Sequence, residues 1–449
     1  MRKLFTLFAS LFMIASQLCA DSTSPLNFTA VNGSVTIRLA KNGNPDAISL
    51  QYSTDNCATW SNYTIEQDIQ LASGAKVYIR ATSSNANFSK DINNYHRFDM
   101  TGTIAADGNI MSLLDATMQQ TSVPGYAFCR LFSGCSSLTQ APALPATTLA
   151  DYCYNEMFRG CSSLTQAPAL PATTLAESCY QEMFSFCRSL TQAPALPATT
   201  LADYCYSSMF SGCESLTQAP ALPATTLAYG CYSSMFEGCS SLTQAPALLA
   251  TTLAYGCYSY MFEGCSSLTQ APALPATTLA KSCYYCMFKG CDLLIQAPTL
   301  PATTLAKRCY EEMFNGCTSL IVNTEGPGKE WKIPDNATPA DDWNKDMFYE
   351  TGGNFTGDPE IGVTYYIASD TTTTTNVENV KDADYVVYSD QGRIFVNGAA
   401  GASASVYDVN GRLVATTDDA DETHEFDVET AGIYFVRIND RESVKVIVK

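Results

Sequence analysis

Histidine occurs only twice in 449 residues, at His96 and His424, in opposite end regions of the chain. No acid, base and nucleophile stand at a telling spacing anywhere, so the sequence gives catalysis no footing and the chain reads as a non-enzyme. Positive charge is also scarce. Lys and Arg number 25 against 44 Asp and Glu, a net charge of −19, which argues against nucleic acid and anionic lipid as partners. After the first twenty residues, no stretch approaches the ~20 apolar residues of a membrane helix. A single Cys-x-x-Cys occurs, Cys283 and Cys286, whereas a zinc site usually wants two such pairs. No metal or cofactor is expected.

What the chain has is repetition. The phrase LPATTLADYCYNEMFRGCSSLTQAPA starts at Leu144 and returns, nearly unchanged, every 26 residues. One cysteine recurs from Cys135 through Cys161 and Cys187 to Cys317, and another from Cys153 through Cys179 to Cys309, with no break in register. A fixed period of this length is the mark of a stacked array. Before it, residues 1–20 have a basic start, an apolar run and a small residue, Ala20, before Asp21. This reads as a secretory leader cut between Ala20 and Asp21. Ser-Gln-Leu before Cys19 fits a lipobox poorly, although a lipid anchor at Cys19 remains an alternative.

The expected organisation is α+β and multidomain. Alternating stretches such as VNGSVTIRL and KVYIRA predict an N-terminal β-sandwich over 22–107. The array, with divergent end units, covers 108–357. A threonine-rich linker occupies 367–384, and a second strand-rich domain occupies 385–449, with period-2 placement at Val406, Tyr434, Val436, Val444 and Val446.

Within one repeat the apolar residues Leu149, Ala150, Cys153, Tyr154, Met157, Phe158 and Cys161 fall in pairs four apart, which predicts a helix with one buried stripe. Thr148 and Asp151 look like a capping box, and Gly160 ends the helix. A short strand, Leu164 to Ala167, should follow, stopped by Pro168. The array is thus expected to be a strand/helix solenoid. Asp151, Asn155, Glu156 and Arg159 vary between copies and should face solvent, as should Cys129 and Cys286. Thr139 and Gln140 recur as Thr165 and Gln166, Thr191 and Gln192, Thr217 and Gln218, Thr243 and Gln244, and Thr269 and Gln270. They form a candidate outward binding face.

Helices packed about 8–10 Å apart would hold the Cys153 column beyond the ~7 Å that a disulfide needs. The Cys161 column, at a corner, could pair. Buried thiol filler, some disulfides and a metal site all remain open, in that order of preference.

The phrase LPATTLA..CY..MF.GCSSLTQAP resembles the 26-residue repeat of BspA-like leucine-rich repeat surface proteins, over about half of the chain. The resemblance implies a leucine-rich-repeat-like solenoid and a cell-surface adhesin or interaction scaffold, with a host protein, matrix or glycan as ligand. The N-terminal stretch DAISLQYSTDNCATW looks like a domain that often precedes such repeats. At the other end, ASVYDVNGRLV, AGIYFVRI and the terminal VKVIVK resemble the C-terminal sorting domain of type IX secretion in Bacteroidetes. Asp408, Asn410, Gly411 and Arg412 match its turn. Gly432, Tyr434 and Val436 match the following strand, and Lys445 and Lys449 its basic end. That resemblance implies an Ig-like β-sandwich, export by the type IX machinery and an extracellular or outer-membrane surface location. The opposing reading is a carbohydrate-binding or glycan-processing accessory protein, with Tyr52, Trp60 and Tyr63 of the N-terminal region stacking on sugar.

Overall fold

A computed structural model describes residues 23–85, 88–326, 328–367, 386–390, 393–397, 403–408, 412–417, 423–428, 432–438 and 444–448. The chain divides into two compact units, Met1–Ile367 and Ala368–Lys449.

The first unit opens with β1 (Asn27–Asn42), β2 (Leu50–Ser53), β3 (Ser61–Tyr63), β4 (Ile69–Leu71), β5 (Lys76–Ala81) and β6 (Tyr95–Asp107). Inward residues of β1, namely Phe28, Val35, Ile37 and Leu39, alternate with outward ones, as a half-buried strand requires. The expected sandwich is instead one sheet, ordered β3-β2-β5-β1-β6, with β4 on β1. Its last neighbour is β8 (Leu138–Gln140), the first extended piece of the array, which pairs in parallel with β6. The sheet and the array therefore share one continuous core. Phe98 of β6 stacks on Phe132 at 5.3 Å, and Phe132 begins the array's own phenylalanine column. The remaining short strands of this unit are β7 (Ser122–Val123), β9 (Thr148–Leu149), β10 (Ile321–Asn323), β11 (Lys329–Trp331), β12 (Gly352–Gly353) and β13 (Tyr365–Ile367). The last four form the sheet β11-β13-β10-β12. Trp331 of this sheet stands edge-on to Phe348, and Phe348 stacks on Phe314, closing the far end of the array.

The expected strand/helix solenoid is corrected at its centre. The only helix among the described residues is one 3-10 turn, Ile110–Leu113, so the α+β class does not hold. In each coil the stretch thought helical is a chain of tight turns. Tyr152, Glu156 and Gly160 have φ of 57°, 52° and 74°, all left-handed, and the same three places recur left-handed along the array. A left-handed residue at every fourth position cannot belong to an α-helix. The hydrogen bonds show what replaces it. Odd-numbered amides close turns within the coil: Cys153 N–H donates to the Ala150 carbonyl and Met157 N–H to that of Tyr154. Even-numbered amides reach the next coil: Tyr154 N–H donates to the Cys179 carbonyl at 3.1 Å and Phe158 N–H to that of Met183 at 2.9 Å. Every amide from Tyr152 to Cys161 is satisfied, half locally and half between coils. Thr148 caps nothing. Instead the Asp151 carboxylate accepts the Glu177 N–H of the next coil, at 3.1 Å.

This geometry points two residues inward and two outward with a period of four. Cys153, Tyr154, Met157, Phe158 and Cys161 are fully buried. Copies stack in register: tyrosine rings from Tyr154 to Tyr310 lie 5.8–6.0 Å apart and nearly parallel. The leucine row Leu138, Leu164, Leu190, Leu216, Leu242 and Leu268 is completely buried. The strand expected at Leu164 to Ala167 shrinks to single ladder contacts, at Gln166 with Gln192 and at Thr174 with Thr200. Pro168 and Pro171 lack the N–H that would extend them.

The second unit contains β14 (Val386–Asp390), β15 (Arg393–Asn397), β16 (Ala404–Asp408), β17 (Leu413–Thr417), β18 (Thr423–Asp427), β19 (Gly432–Ile438) and β20 (Val444–Val448). They make two open antiparallel sheets, β14-β15-β18 and β17-β16-β19-β20. Ile394 and Val396 from one sheet share a core with Val406 and Val436 from the other.

Candidate binding faces of the array

The sheet side of each coil puts Leu164 inward and Thr165 and Gln166 outward. Thr165, Thr191, Thr217, Thr243 and Thr269 are all exposed, as are Gln166, Gln192, Gln218, Gln244 and Gln270. Thr139 and Gln140 differ. Both are half-buried because β6 lies beside them, and the Thr139 hydroxyl donates to the Ile104 carbonyl at 3.0 Å. In the last copy Ile295 stands in the threonine place. A second outward row escaped the sequence reading. From Ala169 to Thr173 exposure alternates: Ala169, Pro171 and Thr173 face out, Leu170 and Ala172 face in, and Thr174 is exposed beside them. The same threonine pair is exposed at 199–200, 225–226, 251–252 and 277–278. The recurring phrase ATT held this signal but was read as a helix cap.

The turn side carries the charge. Arg130 grips Glu156 at 2.5 Å, and Arg159 bonds Glu182 at 3.0 Å. The Arg308 guanidinium lies 4.4 Å over Tyr285, and Tyr229 stacks on Tyr255 at 4.7 Å. Asp151 is exposed, but Asn155 is buried and Glu156 half-buried, because neighbouring coils cover them. Cys129 and Cys286, expected on the surface, are both buried for the same reason.

All eighteen cysteines among the described residues are free thiols. The Cys161 column has a uniform bond. Each Sγ–H donates to a phenylalanine carbonyl one coil back, as Cys161 does to Phe132 and Cys187 to Phe158, both at 3.1 Å. Burial pushes the thiols up, to about 12 for Cys187 and Cys239, so they stay neutral. The premise that wide helix spacing keeps the Cys153 column apart does not hold, since coils bonded like strands lie only about 4.8 Å apart. Among the described residues no cluster of three metal-ligating side chains occurs.

The N-terminal aromatics do not form a stacking platform. Tyr63 belongs to the core, and its hydroxyl accepts the Leu39 N–H and donates to the Gln67 carbonyl. Tyr52 meets Tyr63 edge-on, and the Arg80 guanidinium covers Trp60 at 3.9 Å. His96 is buried with Nδ1 2.6 Å from the Phe88 carbonyl, while His424 sits on β18 beside Phe426. Of the sorting-domain residues, Asp408 ends β16, Arg412 precedes β17, Gly432, Tyr434 and Val436 lie on β19, and Lys445 is on β20. Asn410, Gly411 and Lys449 lie outside the described residues, as do Ala20 and Asp21.

Comparison with known families places two regions. Residues 121–243, 155–281 and 233–324 match the BspA type Leucine rich repeat region, in six copies. Residues 374–448 match a domain of unknown function, DUF6383. No curated protein and no solved structure matches the chain. Residues 121–324 of the array are thus similar to the BspA type Leucine rich repeat region, and no helix among the described residues is long and apolar enough to cross a membrane.

Proposed function

We propose that this chain, built around a BspA-type leucine-rich repeat region, is a secreted or cell-surface adhesin or interaction scaffold that binds through its threonine–glutamine face. The observation that carries the reading is the exposure of the same Thr-Gln pair in five successive coils, from Thr165 to Gln270. Identical weak contacts in register give avidity without any single strong site. The ligand is a host protein, matrix component or glycan. In the same reading, the leader ending at Ala20 takes the chain out of the cytoplasm. The 385–449 region is the signal that the type IX machinery recognises.

The test changes the Thr-Gln pair to Ala-Ala in one coil, then three, then five, and measures retention on a surface that holds the whole protein. Graded loss supports multivalent adhesion. Complete loss from one coil points to a single site, and unchanged binding after five moves the function off this face. Export is tested separately by deleting residues 385–449, which should leave a folded array that no longer reaches the cell surface. Normal display of the truncated chain would refute the sorting role.

A further inference from the structure

The two faces of the array differ in what they can recognise. On the turn side one outward row reads Asp151, Glu177, Asp203, Tyr229, Tyr255 and Lys281. A surface that changes at every coil can specify one particular partner. The sheet side does not change: Thr, Gln, Ala, Pro, Thr and Thr return at nearly every step. Only a ligand that itself repeats along the array axis can meet successive coils in the same way.

Charge narrows the choice. Residues 138–150 contain no Asp, Glu, Lys, Arg or His, and neither do their six successors through 294–306, in a chain that is 15% charged. Between residues 138 and 306 every charge sits in the intervening turn stretches. A polyanion or polycation would find no counter-charge on this face. A folded protein would find few anchors, because the large exposed apolar side chain here is Leu249 and the Trp, Tyr and Arg typical of protein hot spots are missing. Strand addition by a peptide is obstructed, since Pro168 and Pro171 offer no N–H. What remains is a row of hydroxyl and amide groups beside a strip of small apolar side chains. The row repeats about every 4.8 Å, close to the length of one sugar unit in an extended chain.

We propose that this face binds an uncharged linear polysaccharide laid along the array axis. Sugar hydroxyls bond Thr165, Gln166 and their equivalents in successive coils, and the sugar C–H faces rest on Ala169, Pro171 and theirs. The proposal rests on the reading of this face as the binding surface, and it adds the chemical class of the ligand.

The test uses the whole chain in affinity electrophoresis, through gels containing a neutral β-linked glucan, a polyuronate or a polyglucosamine, with a length series of neutral oligosaccharides in solution. Retardation should come from a neutral polymer alone, persist at high salt, and strengthen with oligosaccharide length until the five exposed coils are spanned. Thr→Val with Gln→Met in one, three and five coils should weaken it about fivefold per coil, the worth of one net hydrogen bond. Tyr229→Ser with Tyr255→Ser, on the turn side, should change nothing, and unchanged thermal melting certifies each variant. Retardation by ionic polymers only, by no polymer, or undiminished after five coils are altered overturns the proposal. So does face-dependent self-association in sedimentation. If the five-coil variant loses surface adhesion while the unaltered protein ignores every neutral polysaccharide, the face stands and the ligand class falls. If adhesion also survives, both fall.

Discussion

Ser208 and Ser234 hold the left-handed conformation with φ of 54° and 53°. Their backbone is fixed from outside: Ser208 N–H donates to the Ser233 carbonyl and Ser234 N–H to the Ser259 carbonyl, each at 2.8 Å. A left-handed L-residue costs about 1–2 kcal/mol, while glycine adds about 0.5–1 kcal/mol of unfolded-chain entropy. Ser208→Gly and Ser234→Gly should therefore each stabilise the array by about 0.5–1 kcal/mol. The converse substitution is equally clean. Gly238 has φ of 70°, and an added Cβ would meet its closest neighbours at 3.7 and 3.8 Å, so there is room. Gly238→Ala should cost about 0.5–1.5 kcal/mol from backbone conformation alone. In a helix both signs would reverse, because glycine is the poorer helix former by about 0.5–1 kcal/mol. Urea midpoints at unchanged slope measure the shifts. Destabilisation by the serine-to-glycine pair, together with a helical far-ultraviolet spectrum, would refute the turn-based coil.

Phe184 stacks between Phe158 at 5.6 Å and Phe210 at 5.8 Å, so Phe184→Ala should lower stability by about 3–5 kcal/mol in the same urea assay. Thiol titration of the folded, unreduced protein should find the array cysteines silent; in denaturant without reductant they should all react, and few reactive thiols would mean disulfides. Burial lowers the pKa of His96 below its ordinary 6.5, so the unfolded chain binds the proton first. The stability this gives is complete above about pH 6.5 and is lost as pH falls towards the folded value. His96→Gln should remove that part of the slope in a pH series of unfolding. Glu263 has the opposite sign: burial, and then Glu237, raise its pKa above 4.5. Its favourable contribution is present below about pH 4.5 and lost as pH rises, so Glu263→Gln should gain stability at pH 7 and none in acid.

Translation along the array was legible because it needs only a period. The leucine row and the inward Met-Phe pair both follow from stacking identical copies. The conformation inside one coil was misread, although its clue was present. Apolar pairs at 149–150, 153–154 and 157–158 step by four each time, whereas a helix would slip about 40° at each such step. Gly160 was taken as a helix end, yet Gly230 and Gly256 replace Tyr204 in another of the left-handed rows. Glycine, serine, tyrosine and arginine share that row, so composition alone hid its backbone. The burial of Cys129 and Cys286 depends on neighbouring coils, which no single repeat reveals. The Thr-Gln face was legible as an outward row; the Thr-Thr row beside it was lost to the imagined cap.

Each coil donates its even-numbered amides to odd-numbered carbonyls of the next, and its own odd-numbered carbonyls receive the amides of the coil before. Its upper surface therefore fits the lower surface of any other coil in the series. Misaligned recombination between two copies would delete or add a complete coil and leave no faulty seam, with the closing sheets at both ends untouched. Length is consequently a quantity that inheritance can adjust without redesigning the fold. Kindred arrays are expected to differ by multiples of 26 residues, each step moving the far end about 4.8 Å.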